Sequence, residues 1–393
     1  MTKCVLGDVA KRIQTGPFGS QLHQSDYSLS GTPVVMPKDL SDGTIVDATI
    51  ARVGPLHVER LARHKLKEGD LLFSRRGDVG RCALVRKEQE GWLCGTGCLR
   101  VELDVEKADY KYLYYFLRRD DVAKWLESHA VGAIMLNINP SIVSQLPVVL
   151  PSLDAQHNIA KVLSTIDRKI ALNRKRIATL EAMAKEIYDY WFVQFDFPDA
   201  HGRPYKSSGG AMVYNPDLKR EIPKGWEIKT VGDIANVVTG KEDANFAKDN
   251  GIYPFFTCSQ KVLKCDEYKF DGKNVLVAGN GEFCVKHYIG KCNAYQRTYV
   301  ISPLDVSYWG AIYIEAQRAI DRFKRCSSGS IVKFITMGDV RGLIVYCPVN
   351  IDLYDPINQC MEQIENQERE IVELSALRDF LLPLLMNGQV KVG

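Results

Sequence analysis

One short stretch of the chain carries acidic and basic side chains in an order that could support hydrolysis. Pro216-Asp217 followed by Glu227-x-Lys229 fits the residue order of metal-dependent nucleases, in which carboxylates hold the metal ion. The stretch crosses a segment rich in proline and glycine, where two carboxylates would not be held at metal-binding distances. The chain has no GxxxxGK[ST] phosphate loop and no HExxH zinc helix, and its seven histidines have no nucleophile partner pattern.

Two further stretches bear on methyl transfer. Val275–Gly281 faintly resembles the glycine-rich cofactor loop of a DNA methyltransferase, but the corresponding turn ending at Gly77 has no such character. Asn139-Pro-Ser-Ile142 approaches an Asn-Pro-Pro-Tyr target-base motif but lacks the aromatic ring that stacks on a flipped base. Cys94-x3-Cys98 has no second pair at zinc-finger spacing. We therefore predict no catalytic, cofactor-binding or metal-binding residue.

Recognition of nucleic acid fits the remaining polar residues better. Lysine and arginine contact phosphates, and arginine, asparagine, glutamine and lysine bond to base edges. Such groups stand on corresponding glycine turns in the two halves of the chain, and Lys291–Arg297 interleaves basic, amide and aromatic side chains. The candidate DNA-binding residues are Ser20, Lys38, Ser74, Arg75, Arg76, Arg81, Lys241, Asn280, Lys286, Gln296 and Arg297.

The elements that carry these turns are duplicated. Leu6-Gly-Asp-Val-Ala10 recurs as Val231-Gly-Asp-Ile-Ala235, and the Thr-Gly pair that follows recurs with it. The glycine turn at Gly77 recurs at Gly281, and an apolar stretch ending at Pro151 recurs at the end of the second half. The matches keep their order while their offset shrinks, which indicates two similar folded units rather than a short solenoid repeat.

A long helical pattern follows each unit. Apolar residues alternate at steps of four and three, a 3.5-residue period typical of a coiled-coil seam, and Gln156–Trp191 alone would form a rod of about 54 Å. Asn173 and Gln367 are matching polar positions, and a buried amide there would fix the register of the helices. Pro383 should kink or end the second helix. The predicted helix seam comprises Ile159, Leu163, Ile166, Ile170, Asn173, Ile177, Leu180, Ile187, Ile364, Gln367, Ile371, Leu374 and Leu381.

Short β-branched runs separated by glycine and aspartate turns, with one helix over Tyr110–Leu126, predict α+β units with mainly antiparallel sheets. The proline- and glycine-rich segment 197–225 predicts an irregular linker. The expected order is a recognition domain at 1–150, a central helix at 151–196, the linker at 197–225, a second recognition domain at 226–350 and a C-terminal helix at 351–393.

Composition and charge limit the other classes of protein to which the chain could belong. The 393 residues are 46% hydrophobic and 25% charged, with a net charge of +3, and no apolar run is long enough to cross a membrane. Residues 351–393 carry three basic and eight acidic side chains, so this end is a poor candidate for phosphate contacts. Eleven cysteines without a disulfide spacing pattern predict reduced thiols in a cytosolic protein.

The chain resembles a known family, the specificity subunits of type I restriction–modification enzymes. The resemblance spans nearly the whole chain, with Gln194 standing where an acidic residue would be expected. The matching segments are Thr15–Ser20, Leu71–Gly77, Gln156–Leu163, Trp191–Pro198, Gly202–Tyr205 with Gly209-Gly210, Ile222–Trp226 and Leu381–Met386.

The resemblance implies two target-recognition domains separated by two long antiparallel coiled-coil helices, in a pseudo-two-fold molecule. It implies that each domain reads one half of a split, asymmetric site on double-stranded DNA. The helices would act as a ruler and bind two modification subunits, which use S-adenosylmethionine to methylate adenine. Restriction/translocase subunits that use ATP and Mg²⁺ would join them in the cytoplasm of a bacterium or archaeon, and this chain would hold no cofactor.

Two other classes of function compete with this interpretation. One is a stand-alone DNA methyltransferase or nuclease, which the missing motifs disfavour. The other is a coiled-coil scaffold that binds only proteins. Methyl transfer by the isolated chain would indicate the first, and DNA binding without sequence preference, even with modification subunits present, would favour the second.

Overall fold

The computed structural model describes residues 2–132, 135–326 and 334–392. The chain divides into two compact units, Met1–Ile170 with Glu373–Gly393, and Ala171–Val372. Each unit combines sheets with helices, which confirms the predicted α+β class. The first long helix, Leu153–Tyr188, and the second, Asp355–Met386, each contribute to both units.

The first unit contains twelve of the described strands and five short helices before the first long helix. The strands are β1 (Thr2–Val5), β2 (Ala10–Thr15), β3 (Tyr27–Ser28), β4 (Thr32–Val35), β5 (Leu40–Ser41), β6 (Thr44–Ile45), β7 (Ala51–Val53), β8 (Leu71–Ser74), β9 (Cys82–Leu84), β10 (Leu93–Cys94), β11 (Cys98–Leu103) and β12 (Pro147–Leu150). The helices are α1 (Leu6–Val9), α2 (Pro55–Arg60), α3 (Tyr110–Leu117), α4 (Asp120–His129), α5 (Pro140–Ser144) and the long α6 (Leu153–Tyr188).

The main sheet of the first unit has the order β2-β11-β8-β9, and all its pairs are antiparallel. A second sheet has the order β10-β4-β7-β3, in which β10 and β4 are parallel. Strand β1 pairs antiparallel with β12 and so joins the start of the unit to its end. Helix α3 and the start of α6 pack on the main sheet, with Leu113 and Leu163 fully buried.

The second unit begins inside α6 and ends inside the second long helix. Its strands are β13 (Met212–Asn215), β14 (Arg220–Pro223), β15 (Glu227–Thr230), β16 (Ala235–Thr239), β17 (Tyr253–Phe256), β18 (Leu263–Cys265), β19 (Lys273–Ala278), β20 (Val285–Ile289), β21 (Asn293–Ala294), β22 (Thr298–Pro303) and β23 (Ile344–Cys347). Its helices are α7 (Val231–Ile234), α8 (Trp309–Cys326), α9 (Met337–Arg341) and the long α10 (Asp355–Met386).

The duplication in the sequence is a duplication of topology. The main sheet of the second unit, β16-β22-β19-β20, is again antiparallel throughout, and β15 pairs with β23 as β1 pairs with β12. A smaller sheet, β18-β17-β21, again contains one parallel pair, between β17 and β21. The strands of the main sheet and of the terminal pair therefore recur in the same order and the same pairing, whereas the smaller sheet has four strands in the first unit and three in the second.

The repeated Leu-Gly-Asp-Val and Val-Gly-Asp-Ile motifs form the one-turn helices α1 and α7. Asp8 Oδ2 accepts a bond from the Val5 amide at 3.1 Å, and Asp233 Oδ2 accepts one from the Thr230 amide at 2.8 Å. The aliphatic residues at both ends of each motif are buried. These motifs are therefore capped turns that anchor the start of each unit.

The long helices extend as their periodicity predicts. Helix α6 starts three residues before the predicted start and continues as a single π-helical turn over Asp189–Val193. Helix α10 continues through Pro383 to Met386 rather than ending at the proline. The prediction of one helix over Tyr110–Leu126 is wrong, because Arg118 and Arg119 leave the helical path between α3 and α4.

The segment 197–225 is more ordered than its composition predicts. It contains the β13–β14 hairpin, and its aromatic rings join the core of the second unit. Phe197 stacks on Tyr205 with ring centroids 4.6 Å apart and on Trp226 at 4.9 Å. The prediction of an irregular linker is wrong because aromatic packing fixes a segment that is otherwise rich in turn residues.

Candidate nucleic-acid interface

Three loops meet at one end of the main sheet in each unit. In the first unit they are residues 16–20, 74–81 and 95–97, which we call the first loop cluster. In the second unit they are residues 240–242, 279–281 and 295–297, which we call the second loop cluster. Most of the candidate DNA-binding residues lie on these six loops.

Within each cluster, equivalent backbone hydrogen bonds hold the loops together. The Gly16 amide donates to Cys98 O at 2.9 Å, and the Gly240 amide donates to Thr298 O at 3.1 Å. A side chain at either glycine would collide with the opposing loop, since a Cβ would lie 2.0 Å from Gly95 O or 1.9 Å from Ala294 O. The repeated Thr-Gly pair therefore marks a close approach of two loops.

The hairpin turns are attached by two further pairs of bonds. The Arg75 amide donates to Gly97 O at 2.7 Å, and the Gly279 amide donates to Arg297 O at 2.8 Å. Arg75 O accepts from the Ile138 amide at 3.0 Å, and Gly279 O accepts from the Ile335 amide at the same distance. Arg75 and Gly279 thus occupy the same backbone position in the two units.

The arginine side chains of the first loop cluster differ in their exposure and in their hydrogen-bond partners. Arg76 is exposed, whereas Arg75 is half-buried, with Nε donating to Asn137 Oδ1 at 3.3 Å and its guanidinium 5.8 Å from the Phe18 ring centre. Burial, and then the charge of Arg76, lowers the pKa of Arg75. Arg81 donates to Asp78 Oδ2 at 2.6 Å and to Leu40 O at 3.3 Å, so its charge is already paired.

The other first-unit candidates have distinct surroundings. Ser74 is buried, and its hydroxyl donates to Arg76 O at 3.0 Å, which shapes the turn. Ser20 is exposed on the loop that carries Phe18. Lys38 is exposed and donates to Thr49 O at 3.4 Å. The segment holding Lys38 reaches the cluster through the bond between Arg81 and Leu40.

In the second loop cluster the exposed groups are Lys241, Gln296 and Arg297. The backbone amide of Gln296 donates to Glu242 O at 2.8 Å, which connects the loop of Gln296 and Arg297 to the loop of Lys241. Asn280 is half-buried, and its backbone forms a bridge with Phe334. The cluster therefore combines an amide on the turn with cationic groups on the neighbouring loops.

Lys286 lies outside the second loop cluster. It is on strand β20, where Nζ donates to Ser259 O and lies 6.0 Å from the centre of the Phe256 ring. Burial lowers the pKa of Lys286. Its place on the strand, beyond the turn, differs from the placement on a glycine turn that the sequence predicted.

Phe18 and Asn137 contact Arg75 but are not among the predicted DNA-binding residues. Phe18 is 55% exposed, although it is a large apolar side chain, and Arg75 lies over its ring. Its place in the Thr15–Ser20 motif was the available signal. Asn137 is 62 residues from its partner Arg75, and no spacing along the chain links the two.

Each predicted residue of the helix seam is buried or partly buried. In the first unit Ile159 and Leu163 join a core with Leu385 and Met386, and Arg378 Nη1 pairs with Asp167 Oδ1 at 3.1 Å. The start of α6 thus packs on the end of α10, which is an antiparallel arrangement within this unit.

The amide positions of the seam lie in the second unit. Asn173 is fully buried, and its Nδ2 donates to Glu370 Oε2 at 2.8 Å. Asn173 Oδ1 and Gln367 Oε1 are both buried without a hydrogen-bond partner. The partner of Asn173 is thus a carboxylate on α10 one turn beyond Gln367.

Among the described residues, no helix combines the length and the apolar character that a membrane crossing requires. The family model of the type I restriction modification DNA specificity domain matches residues 6–182 and 223–350.

Curated proteins that are similar to this chain include two specificity subunits. The EcoDI specificity subunit of Escherichia coli is 33% identical over 177 residues, which cover 43% of this chain and 40% of that protein. The MjaIX specificity subunit of Methanocaldococcus jannaschii is 24% identical over 396 aligned residues, which cover 93% of this chain and 88% of that protein.

A solved structure shares the fold. The crystal structure of a type I restriction-modification S subunit from M. genitalium superposes with a TM-score of 0.63 at 17% identity. The superposition covers 98% of this chain and 95% of that one.

Proposed function

Because this chain belongs to the family of type I restriction–modification DNA specificity subunits, which are non-catalytic subunits of their enzymes, we propose that it reads a bipartite, asymmetric site on double-stranded DNA. Each unit reads one half-site through its loop cluster. The target is duplex DNA, whose major groove offers a distinct donor and acceptor pattern for each base pair.

The observation that carries this proposal is the pair of equivalent loop clusters with unlike side chains. The backbone bonds recur, but Arg75 and Arg76 on one turn correspond to Gly279 and Asn280 on the other. Arginine pairs best with guanine, and asparagine pairs best with adenine. Two readers with one backbone and different side chains would recognise different half-sites, which makes the full site asymmetric.

In this proposal, other residues position each unit on the DNA backbone. Lys38, Lys241 and Arg297 are exposed cations that would contact phosphates and set the orientation of each unit. Phe18, exposed beside Arg75, would supply an apolar contact to a base or sugar edge. Arg75 and Arg81 are largely committed to partners within the chain, so Arg76 is the stronger candidate for direct base contact.

The two long helices would dock two modification subunits. They carry exposed apolar side chains at Met183, Tyr190, Val372 and Phe380, and exposed apolar groups on an otherwise polar surface favour protein contacts. The modification subunits would supply S-adenosylmethionine, and restriction/translocase subunits would supply ATP and Mg²⁺ chemistry. In this proposal the present chain contributes only recognition and assembly.

The experiment is co-expression of this chain with its modification subunits, followed by sequencing of methylated adenines across the host genome. We expect one split, non-palindromic motif that disappears when this chain is omitted. Methylation that persists without this chain would contradict the proposal. Methyl transfer by the isolated chain would instead support a stand-alone methyltransferase.

A further inference from the structure

A histidine and two glutamates converge in the second unit, away from its loop cluster. His287 lies on strand β20, and Glu365 and Glu368 lie one turn apart on helix α10. One ligand atom from each side chain lies within 4.8 Å of the others. Within residues 2–132, 135–326 and 334–392, no other group of three or more His, Cys, Asp or Glu side chains comes this close.

Two of the three side chains are fixed before any ligand arrives. His287 is 8% exposed and Glu365 is 4% exposed, and Nδ1 of the imidazole lies 2.5 Å from Oε1 of the carboxylate. Tyr313 meets the imidazole edge to face, with ring centres 4.7 Å apart, and Trp309 does so at 5.7 Å. The ring therefore has little freedom to turn away from the carboxylates.

The third side chain opens the group to solvent. Glu368 is exposed, and it lines a cavity of about 680 Å³ together with His287, Glu365 and Glu181. Glu181, on helix α6, brings a third carboxylate to the same cavity. Arg369 and Lys286 also line the cavity, but Lys286 already donates to Ser259 O.

We propose that His287, Glu365 and Glu368 bind a divalent transition-metal ion, with water from the cavity completing its coordination. An imidazole with two carboxylates suits Zn²⁺ or Mn²⁺, whereas Mg²⁺ favours an all-oxygen shell. Metal–ligand distances near 2.1 Å place tetrahedral ligand atoms about 3.4 Å apart. The three donors here lie within 4.8 Å of one another, so small side-chain rotations bring them to that spacing.

A hydrogen-bonded His287–Glu365 pair without a metal is the alternative, and Glu368 separates the two explanations. The pair alone does not need Glu368, which is exposed and extends into the cavity. A metal ion needs it as the third ligand. Bound metal would tie strand β20 to helix α10 within the second unit, and would raise the stability of the chain without taking part in DNA contacts.

The test uses the full-length chain after treatment with a chelator, and Mn²⁺ as the probe. Loss of the free-ion electron paramagnetic resonance signal reports binding, and Mn²⁺ avoids most of the thiol binding that Zn²⁺ would show. We expect one strong site per chain, displaced by Zn²⁺ and left intact by an equal concentration of Mg²⁺. Glu368→Gln should weaken this binding by roughly tenfold or more.

Glu373→Gln is the matched control, since Glu373 is exposed on the same helix and does not line the cavity. It should bind Mn²⁺ as the unmodified chain does. Circular dichroism checks that each variant is folded, and Glu368→Ala serves as a second variant without the ligand if Glu368→Gln is not. No loss of the free Mn²⁺ signal with the unmodified chain, or identical curves for the unmodified chain and a folded Glu368 variant, would overturn the proposal.

Stability gives an independent measurement. Zn²⁺ should raise the thermal unfolding midpoint of the unmodified chain and of Glu373→Gln, but not that of the Glu368 variant. An equal shift in all three proteins would place the ion elsewhere and would also overturn the assignment.

Discussion

Arg76 and Asn280 hold the same position in the two units, each directly before the glycine of a hairpin turn. The backbone of Arg76 bridges to Asn137, and that of Asn280 bridges to Phe334. Gly77 and Gly281 follow with φ angles of 76° and 67°, a left-handed conformation that glycine adopts without strain. The same turn conformation thus presents a guanidinium in one unit and a carboxamide in the other.

This correspondence predicts that the two residues affect different half-sites. Arg76→Ala and Asn280→Ala should each weaken specific DNA binding by about 1–3 kcal/mol and relax the sequence preference in one half-site only. Binding would be measured by fluorescence anisotropy at one fixed salt concentration, using the complex with modification subunits. Arg86→Ala, which changes an exposed arginine outside the first loop cluster, is the control. Unchanged affinity in both turn variants would remove these residues from the interface.

The units should be exchangeable as readers of DNA. Replacing residues 1–150 with the corresponding segment of another family member should change one half of the methylated motif and leave the other half intact. The reason is that each main sheet and loop cluster is built within its own unit. Sequencing of methylated adenines gives the result. A simultaneous change in both halves would contradict independent reading.

The buried amides of the seam should differ in their contribution to stability. Asn173→Leu removes the bond to Glu370 and should lower the free energy of unfolding by about 1–3 kcal/mol. Gln367→Leu removes a buried oxygen that has no partner, so it should be neutral or slightly stabilising. Urea denaturation compares the two variants. Equal destabilisation by both would show that the bond to Glu370 is not the reason for the buried asparagine.

The helices should set the spacing between the half-sites. Inserting seven residues near Ile177 and seven near Ile371 keeps the 3.5-residue period in phase and lengthens each helix by about 10.5 Å. That length corresponds to about three base pairs, so the methylated motif should keep both half-sites and gain a longer spacer, by up to this number. An active variant with an unchanged spacer would mean that the helices join the units without measuring distance.

His64 should make the first unit sensitive to acid. It is 3% exposed, Arg63 Nε donates to its Nε2 at 3.0 Å, and burial together with Arg63, Arg100 and Arg12 lowers its pKa to about 4. The folded chain therefore favours the neutral ring. The resulting stability is present above about pH 6.5 and is lost as the pH falls toward 4, by roughly 2–3 kcal/mol.

His64→Gln cannot gain this proton, so its free energy of unfolding should fall less between pH 7 and pH 4.5 than that of the unmodified chain. His201→Gln, at an exposed position, should follow the unmodified chain. Urea denaturation at the two pH values measures the difference. Parallel pH dependence of His64→Gln and the unmodified chain would assign the acid sensitivity to other groups.

Periodicity was readable from the sequence because it depends on near neighbours, and repetition because each matched motif is a short run of consecutive residues. Steps of three and four residues define a helix face, and α6 and α10 form where those steps predict them. Matched motifs at a drifting offset predicted two similar units, and the recurring β2-β11-β8-β9 and β16-β22-β19-β20 orders explain the match. The aspartate of each Gly-Asp motif caps a helix within three residues, so its role also follows from nearby positions.

Contacts between distant segments were decided only by the tertiary structure. Phe197 and Tyr205 order a segment whose composition predicts irregularity, because the Phe197 ring stacks both on Tyr205 and on the core residue Trp226. Arg75 meets Asn137 across 62 residues, and His287 meets Glu365 across 78. Strand pairing and helix packing set these separations, and neither leaves a periodic signal at the residues that meet. The sequence therefore determined the elements and their duplication, whereas the fold determined which polar side chains share a site.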